Sequence, residues 1–390
     1  MKWLVVVFVV GCSSNHAATP DAGGDDDDTA IDAPVACPRD AAPADRVRHI
    51  VISHPFLTAG GNANNWDVLD LSATGEITKP GRPFVMGNAP EGVIQFTADG
   101  KIGMVPQSDG TLGVFSLADD GTPTVVAAAF KGGFYASQLV MAGDHALVLD
   151  GDTLANGGGI YRVDIACDGT PIDRGMVVPA SLPNAFAFVP GTDRAVVAAT
   201  QLATSAAGSD AELVTWGDAP ALVGASDAFG DDMAIVGGAT LTADGGHFLI
   251  GDRSEFSGIP NRVAIVEVDA DGLVKPQVIP NIDDPFSLVA SPFGDVVLVV
   301  DGYGNAMFVL EGGATGFALR GEVTYSGAKP ELPGGAVRID AGMLKGWVFV
   351  EENSGVRTVE MKSDGSVVDH GRFFVGDAIE DVVGAIGVTP

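Results

Sequence analysis

DPFSLVASPFGDVVLVVDGYGNAMFVLE, residues 284–311, holds the pattern that decides the fold. An apolar run from Phe286 to Ala290 breaks at Ser-Pro-Phe-Gly-Asp, a second from Val296 to Val300 stops at Asp301, and a third from Ala306 to Leu310 follows a glycine-rich gap. Runs this short, punctuated by Gly, Pro and Asp, read as strands of an antiparallel meander rather than as helix. The opening phrase returns along the chain: APEGVIQFTADG from Ala89, YASQLVMAGD from Tyr135, PNAFAFVPGTD from Pro183, GGATLTADGG from Gly237, GGAVRIDAGMLKG from Gly334 and IEDVVGAIGVTP from Ile379. Starts about 50 residues apart match the four-stranded units of a propeller and disfavour helical solenoids. Within each unit a third strand such as RVAIVEV (262–268) leads to a hairpin turn such as ADDGT (118–122), ACDGT (166–170) or KSDGS (362–366), where Gly after Asp supplies positive φ without steric cost.

The two ends of the chain complete each other. Residues 46–86 offer only RVRHIVISH, NNWDVLDL and an outer strand near ITKPGRPFVM, whereas the C-terminus holds an opening strand with nothing after it. Placing that last strand inside the first blade gives an all-β, seven-bladed propeller and removes exposed sheet edges. A pair of stacked β domains is the alternative, and the repeat speaks against it by keeping its character throughout.

LVVDGYGNAMFVLE (298–311), HFLIGDRSEFSGIPNRVAIVEV (247–268) and APEGVIQFTADGKIGMVPQSDGTLGVFSLADDGTP (89–123) resemble the repeats of YVTN-type and lactonase-like seven-bladed propellers. The resemblance spans residues 46–390, and the literal YVTN words are missing from every blade. It implies the fold. Family members include a phosphogluconolactonase, quinone-cofactor enzymes of related shape and proteins that only bind, and no catalytic motif here matches one to carry over.

Of 390 residues, 51 are Asp or Glu and 21 Lys or Arg, a net charge of −30, while 46% are hydrophobic. So apolar a chain has enough to bury a core and is not disordered throughout. So acidic a chain, with no basic run, excludes a nucleic-acid partner held through phosphates. The first residues, MKWLVVVFVVGC, pair a cation at Lys2 with a short apolar run ending in Gly11-Cys12. This resembles a bacterial lipoprotein signal, with residues 1–11 removed and Cys12 lipidated; an ordinary secretory signal is the other reading, and the run is too short to span a bilayer. Residues 12–45 then form an acidic, Ala- and Pro-rich stalk around Asp25-Asp26-Asp27-Asp28, lacking the ligand spacing of a calcium loop. The expected address is the bacterial cell envelope, with the membrane touched only through lipid and the protein a monomer. Cys37 and Cys167 remain as a pair in a compartment that permits disulfides, so they are either bonded or two free thiols.

In a propeller the loops from the second to the third strand share a face with the connections between blades, and the Asp-Gly turns occupy the other. The turns here are short and alike; the loops are long and unlike, which marks the loop face for binding. Glu91, Asp232, Asp284, Glu331 and Asp381 stand near the starts of inner strands, and Asp152, Asp252, Asp301, Glu351 and Glu352 begin the facing loops. Such a ring could hold calcium at the channel mouth, or serve only solubility. His54 is the one histidine expected on this face, Arg253 and Arg262 its few cations, and Trp66, Tyr135, Phe256 and Tyr303 its aromatic residues for stacking on a sugar or peptide. G-x-S-x-G, H-E-x-x-H, C-x-x-C and P-loop motifs are missing, and catalytic residues are not identifiable. Two functions fit: binding of a protein, peptide or glycan through the loop face, or a lactonase- or esterase-like hydrolase with a metal or carboxylate at the channel.

Overall fold

The computed structural model describes residues 37–390 other than 38, 44–45, 54–64, 87–91, 108–110, 127–135, 144, 151–157, 181, 203–209, 217–219, 231–232, 271 and 377–383. The residues expected to form the signal, Cys12 and most of the expected stalk therefore lie outside the described residues. Seven sheets, antiparallel but for one short parallel pairing at the seam, form a β-propeller, and one short 3-10 turn, Ser254–Ser257, is the helical element among the described residues.

Blade six shows how sequence makes a blade. Its strands, Pro285–Ala290, Val296–Asp301, Ala306–Gly313 and Gly316–Glu322, pair in chain order. The second strand is buried at every position. Alternate residues explain this. Val296, Leu298 and Val300 pack with Val348 and Val350 of blade seven, while Val297 and Val299 pack with Leu249 and Ile265 of blade five. A central strand thus has an apolar neighbour on both faces, and each buried Val contributes roughly 1.5–3 kcal/mol. The fourth strand is the outer edge; in blade four, Ala221–Ser226 leaves Leu222 and Val223 exposed.

The first and last described strands meet as the repeat requires. Ala385–Val388 runs antiparallel to Arg48–Ile52, with Ile52 opposite Ile386, and it also pairs in parallel with Gly92–Val93 at the start of blade two. Asn65–Leu71 and two short outer pieces, Ile77–Thr78 and Phe84–Val85, complete blade one.

Opposite the loops, the Thr-Ala-Asp-Gly turns repeat in atomic detail. In blade two the Thr97 hydroxyl donates to Asp99 Oδ1 (2.6 Å), which also accepts the Lys101 N–H (3.0 Å). In blade five Thr242 and the Gly246 N–H make the same bonds to Asp244, at 2.7 and 2.9 Å. The following glycines, Gly100 and Gly245, have φ of +69° and +77°, where a side chain would be strained.

Cys37 and Cys167 are joined by a disulfide, their Cα atoms 5.2 Å apart. The segment leaving Cys37 crosses the turn face as a strap. Arg39 donates to the Ala166 carbonyl (2.7 Å) on blade three, the Ala42 N–H donates to the Ala98 carbonyl (3.0 Å) on blade two, and Arg46 donates to the carbonyls of Asp99 (3.2 Å) and the terminal Pro390 (3.3 Å).

Candidate functional site

The loop face is built from the ends of the second strands. His145–Asp150, His247–Asp252, Val296–Asp301 and Trp347–Glu352 each close an apolar strand with a carboxylate at the same register position. All four side chains are buried, as is Glu351. Solvated acids at loop mouths were the expectation for Asp252, Asp301, Glu351 and Glu352. Burial is the finding, and it follows from position: the strand end still lies between neighbouring blades.

Asp252, Glu351 and Glu352 are held by local donors. Asp252 accepts from the Ile235 N–H (2.9 Å), from the Ser254 hydroxyl and from Arg262 Nε (2.8 Å), so it ties the start of an inner strand to the loop. Glu351 accepts the Gly384 N–H (2.8 Å) where the closing strand begins. Glu352 is held by Arg357 Nε (2.9 Å), and Arg357 Nη1 also donates to Asp369 (2.8 Å). Burial pushes the Glu352 carboxyl up despite that arginine. Arg262, expected as a site cation, is thereby committed to Asp252.

Between blades five and six a further group of expected site residues comes together. Arg253 Nε donates to Asp284 Oδ1 (2.6 Å), and Asp284 Oδ2 accepts the Tyr303 N–H (2.9 Å). The guanidinium stacks over Phe286 at 4.9 Å and lies 5.9 Å from the Tyr303 ring. Gly237, from the repeated Gly-Gly of blade five, makes room for it: a Cβ there would stand 2.4 Å from Arg253 Cδ. Tyr303 is 50% exposed, so this platform has an open aromatic face. Beneath it Asp301 accepts the Gly304 N–H (2.7 Å), yet burial, with the charges of Asp283 and Asp284 near by, lifts its pKa to about 8. Burial at this position thus favours the protonated form of Asp301.

His54, Glu91, Tyr135, Asp152, Asp232, Asp381 and the side chain of Phe256 lie outside the described residues. Trp66, expected among the loop aromatics, is fully buried, its indole N–H bonded to the Met86 carbonyl (2.9 Å) within an aromatic cluster with Phe84 and Phe115. Glu331 is exposed at the rim, 3.9 Å from Arg372. Among the described residues no group of three or more His, Cys, Asp or Glu side chains is arranged to hold a metal ion. Two features escaped the sequence reading. Asp210, fully buried, accepts the N–H groups of Ala228 (2.5 Å) and Phe229 (3.1 Å), and burial raises its pKa to about 6. The Glu352–Arg357–Asp369 chain is the other. The recurring words LVLD, LVVD and FVEE, an acid ending an otherwise apolar strand, were the available signal for such burial.

Fold and site together define a seven-bladed propeller whose loop face is set on buried carboxylates. No protein-family model and no curated protein matches the chain. Solved structures do share the fold. One from Bacteroides fragilis NCTC 9343, provisionally named a 6-phosphogluconolactonase, has a TM-score of 0.61 at 13% identity, over 90% of this chain and 100% of its own. A second so named, from Bacteroides uniformis ATCC 8492, gives 0.61 at 12% identity over 88% and 99%. A protein from Lactobacillus plantarum gives 0.61 at 11% identity over 88% and 100%. At such identities the likeness concerns the fold, that of lactonase-like propellers.

Proposed function

We propose that this chain is a cell-envelope propeller, lipid-anchored at Cys12, that binds a protein, peptide or glycan through its loop face. The observation that carries the reading is the Arg253–Tyr303 platform. It is an exposed aromatic ring beside a guanidinium whose position is fixed by Asp284 and Phe286, on a rigid scaffold where loops differ from blade to blade. Fixed aromatic and arginine side chains are favoured anchors because little entropy is lost when a ligand covers them. A photo-crosslinking residue placed at Tyr303 in cells should yield a discrete adduct, while the same residue at Asp364 on the turn face yields none. Equal adducts at both positions, or none at Tyr303, would remove the reading.

Hydrolysis of a lactone or ester is the second reading. It is favoured by Asp301, a carboxyl next to the platform whose protonated form burial favours, and by the names of the structural neighbours. A phosphorylated substrate fits poorly, because Arg253 and Arg262 are already engaged by Asp284 and Asp252. Turnover of uncharged δ-lactones that disappears in Asp301→Asn would establish hydrolysis; no turnover by the wild type across lactones and aryl esters would dismiss it.

A further inference from the structure

We propose that the Cys37–Cys167 disulfide is a redox-sensitive clasp on the closure of the ring. While it is intact the strap holds the end of the last strand in place, and its reduction lets the seam between Arg48–Ile52 and Ala385–Val388 open from the turn face.

The coupling runs through named contacts. Beyond Cys37 the strap grips blade three through Arg39 and the Ala166 carbonyl, and blade two through Arg39 and Asp99 (3.6 Å) and through the Ala42 N–H and the Ala98 carbonyl. Arg46, at the far end of the strap, reaches two ways: Nη1 donates to the Asp99 carbonyl on blade two, and Nε donates to the Pro390 carbonyl just past the closing strand. Two residues further on, His49 and Thr389 pair across the seam. The Thr389 N–H donates to the His49 carbonyl (2.9 Å), and the Thr389 hydroxyl accepts the His49 N–H (2.9 Å). The turn-face end of the seam, where fraying starts, is therefore the place at which the strap joins it.

Without the covalent bond little holds the strap. Its hydrogen bonds are few and lie partly open to water, each adds only a small net free energy, and Val47 is 55% exposed. The disulfide spans 130 residues, a loop that contains blade two and all of blade one except its closing strand. It keeps the strap within reach of blade three whenever the weaker contacts break. The closing strand lies outside that loop and is held by strand pairing and by Arg46 alone of the strap's side chains.

The clasp is also reachable. Cys167 is exposed on its hairpin turn, and Cys37 is half-buried. A dithiol reductant can attack Cys167 Sγ as a thiolate; the S–S bond breaks, and Cys37 leaves as a thiolate that takes up a proton. The second thiolate of the reductant then displaces Cys167, which is protonated in turn, and the reductant ends as a disulfide.

The test follows backbone amide exchange by mass spectrometry in the full chain carrying Cys12→Ala, with the disulfide intact, after reduction by a dithiol, and with Cys37→Ser added. After reduction, and in Cys37→Ser, residues 385–390 and 48–52 should exchange about tenfold faster or more, while His247–Asp252 and Val296–Asp301 of blades five and six change less than about twofold. Arg46→Gln with the disulfide intact should speed exchange at 385–390 about threefold, as for loss of one hydrogen bond, and leave Gly159–Ile165 of blade three unchanged. Even acceleration across all blades, unchanged exchange at 385–390 after reduction, or a disulfide that the dithiol does not reduce in the folded chain overturns the proposal.

Discussion

Aspartate does opposite things on the two faces of this ring. On the turn face Asp99, Asp120, Asp168, Asp244 and Asp364 cap hairpins, and all five sit below the usual carboxylate range. For Asp120, Asp168 and Asp244 the leading cause is a backbone N–H two residues on, and for Asp364 it is the Ser366 hydroxyl. On the loop face Asp210, Asp301 and Glu352 are buried, and burial raises all three. One residue type, placed at opposite ends of the same strands, is therefore stabilising in its charged form below and destabilising above. Depth between the blades decides the sign, because the turns project into water whereas the second strands end inside the ring.

The seam that holds both faces in one ring is the largest lever on this difference. Removing residues 379–390 takes away Ala385–Val388, leaves the Arg48–Ile52 edge unpaired and uncovers Ile50 and Ile52. The truncated chain should aggregate or lose its cooperative thermal transition, since an unpaired apolar edge templates association. A soluble chain melting like the parent would mean that closure does not hold the faces together.

Next in size is the ion network that makes a charged loop face tolerable. Arg357→Met leaves Asp369 buried without its counter-ion and Glu352 with Arg372 alone, 3.5 Å away, at a cost of about 3–5 kcal/mol by urea unfolding at pH 7. Part of the loss should return on acidification, as the two acids take up protons. A loss that is the same at pH 5 and pH 8 would show that packing, not charge, is what Arg357 supplies.

The ring itself was legible in the sequence. Repetition of an opening strand before TADG, an orphan strand at the C-terminus and an even cysteine pair, Cys37 before the first blade and Cys167 in a hairpin turn, are local or countable features, and each survives into the structure. The interior of the loop face was not legible. A strand such as VFVEE writes the same letters whether its acids reach water or not, and the partners that reveal burial come from elsewhere. Arg253 meets Asp284 across 31 residues, and Arg357 joins Glu352 to Asp369 across two strands.

Asp301 gives a smaller effect with a distinctive sign. Its pKa rises from 3.8 to about 8 on folding, so between these values the folded chain binds a proton that the unfolded chain has lost. Stability must then fall as pH rises through the window from about 4 to 8. Asp301→Asn imitates the protonated acid and should abolish that part of the decline, matching the parent near pH 4 and exceeding it at pH 9. Parallel stability profiles for Asp301→Asn and the parent would show that Asp301 is ionised in the fold.

The smallest effect belongs to the turn face and has the reverse sign. Asp244 is held below its ordinary value first by the Gly246 N–H and then by the Thr242 hydroxyl, so its charged form stabilises the fold above the unfolded pKa, and that contribution is lost as pH falls through the folded one. Asp244→Asn keeps an acceptor oxygen in place and loses only the charge assistance. Its melting temperature at pH 7 should drop by no more than about 2 °C, and the gap should close only as pH falls past the ordinary value of 3.8 and through the lower folded one, where the parent carboxylate is itself protonated. The loop-face variant Asp301→Asn departs from the parent at the opposite end of the pH scale. A gap for Asp244→Asn that widens toward alkaline pH would erase the distinction between the two faces, because it would require the turn carboxylate to be disfavoured in its charged form as the buried ones are.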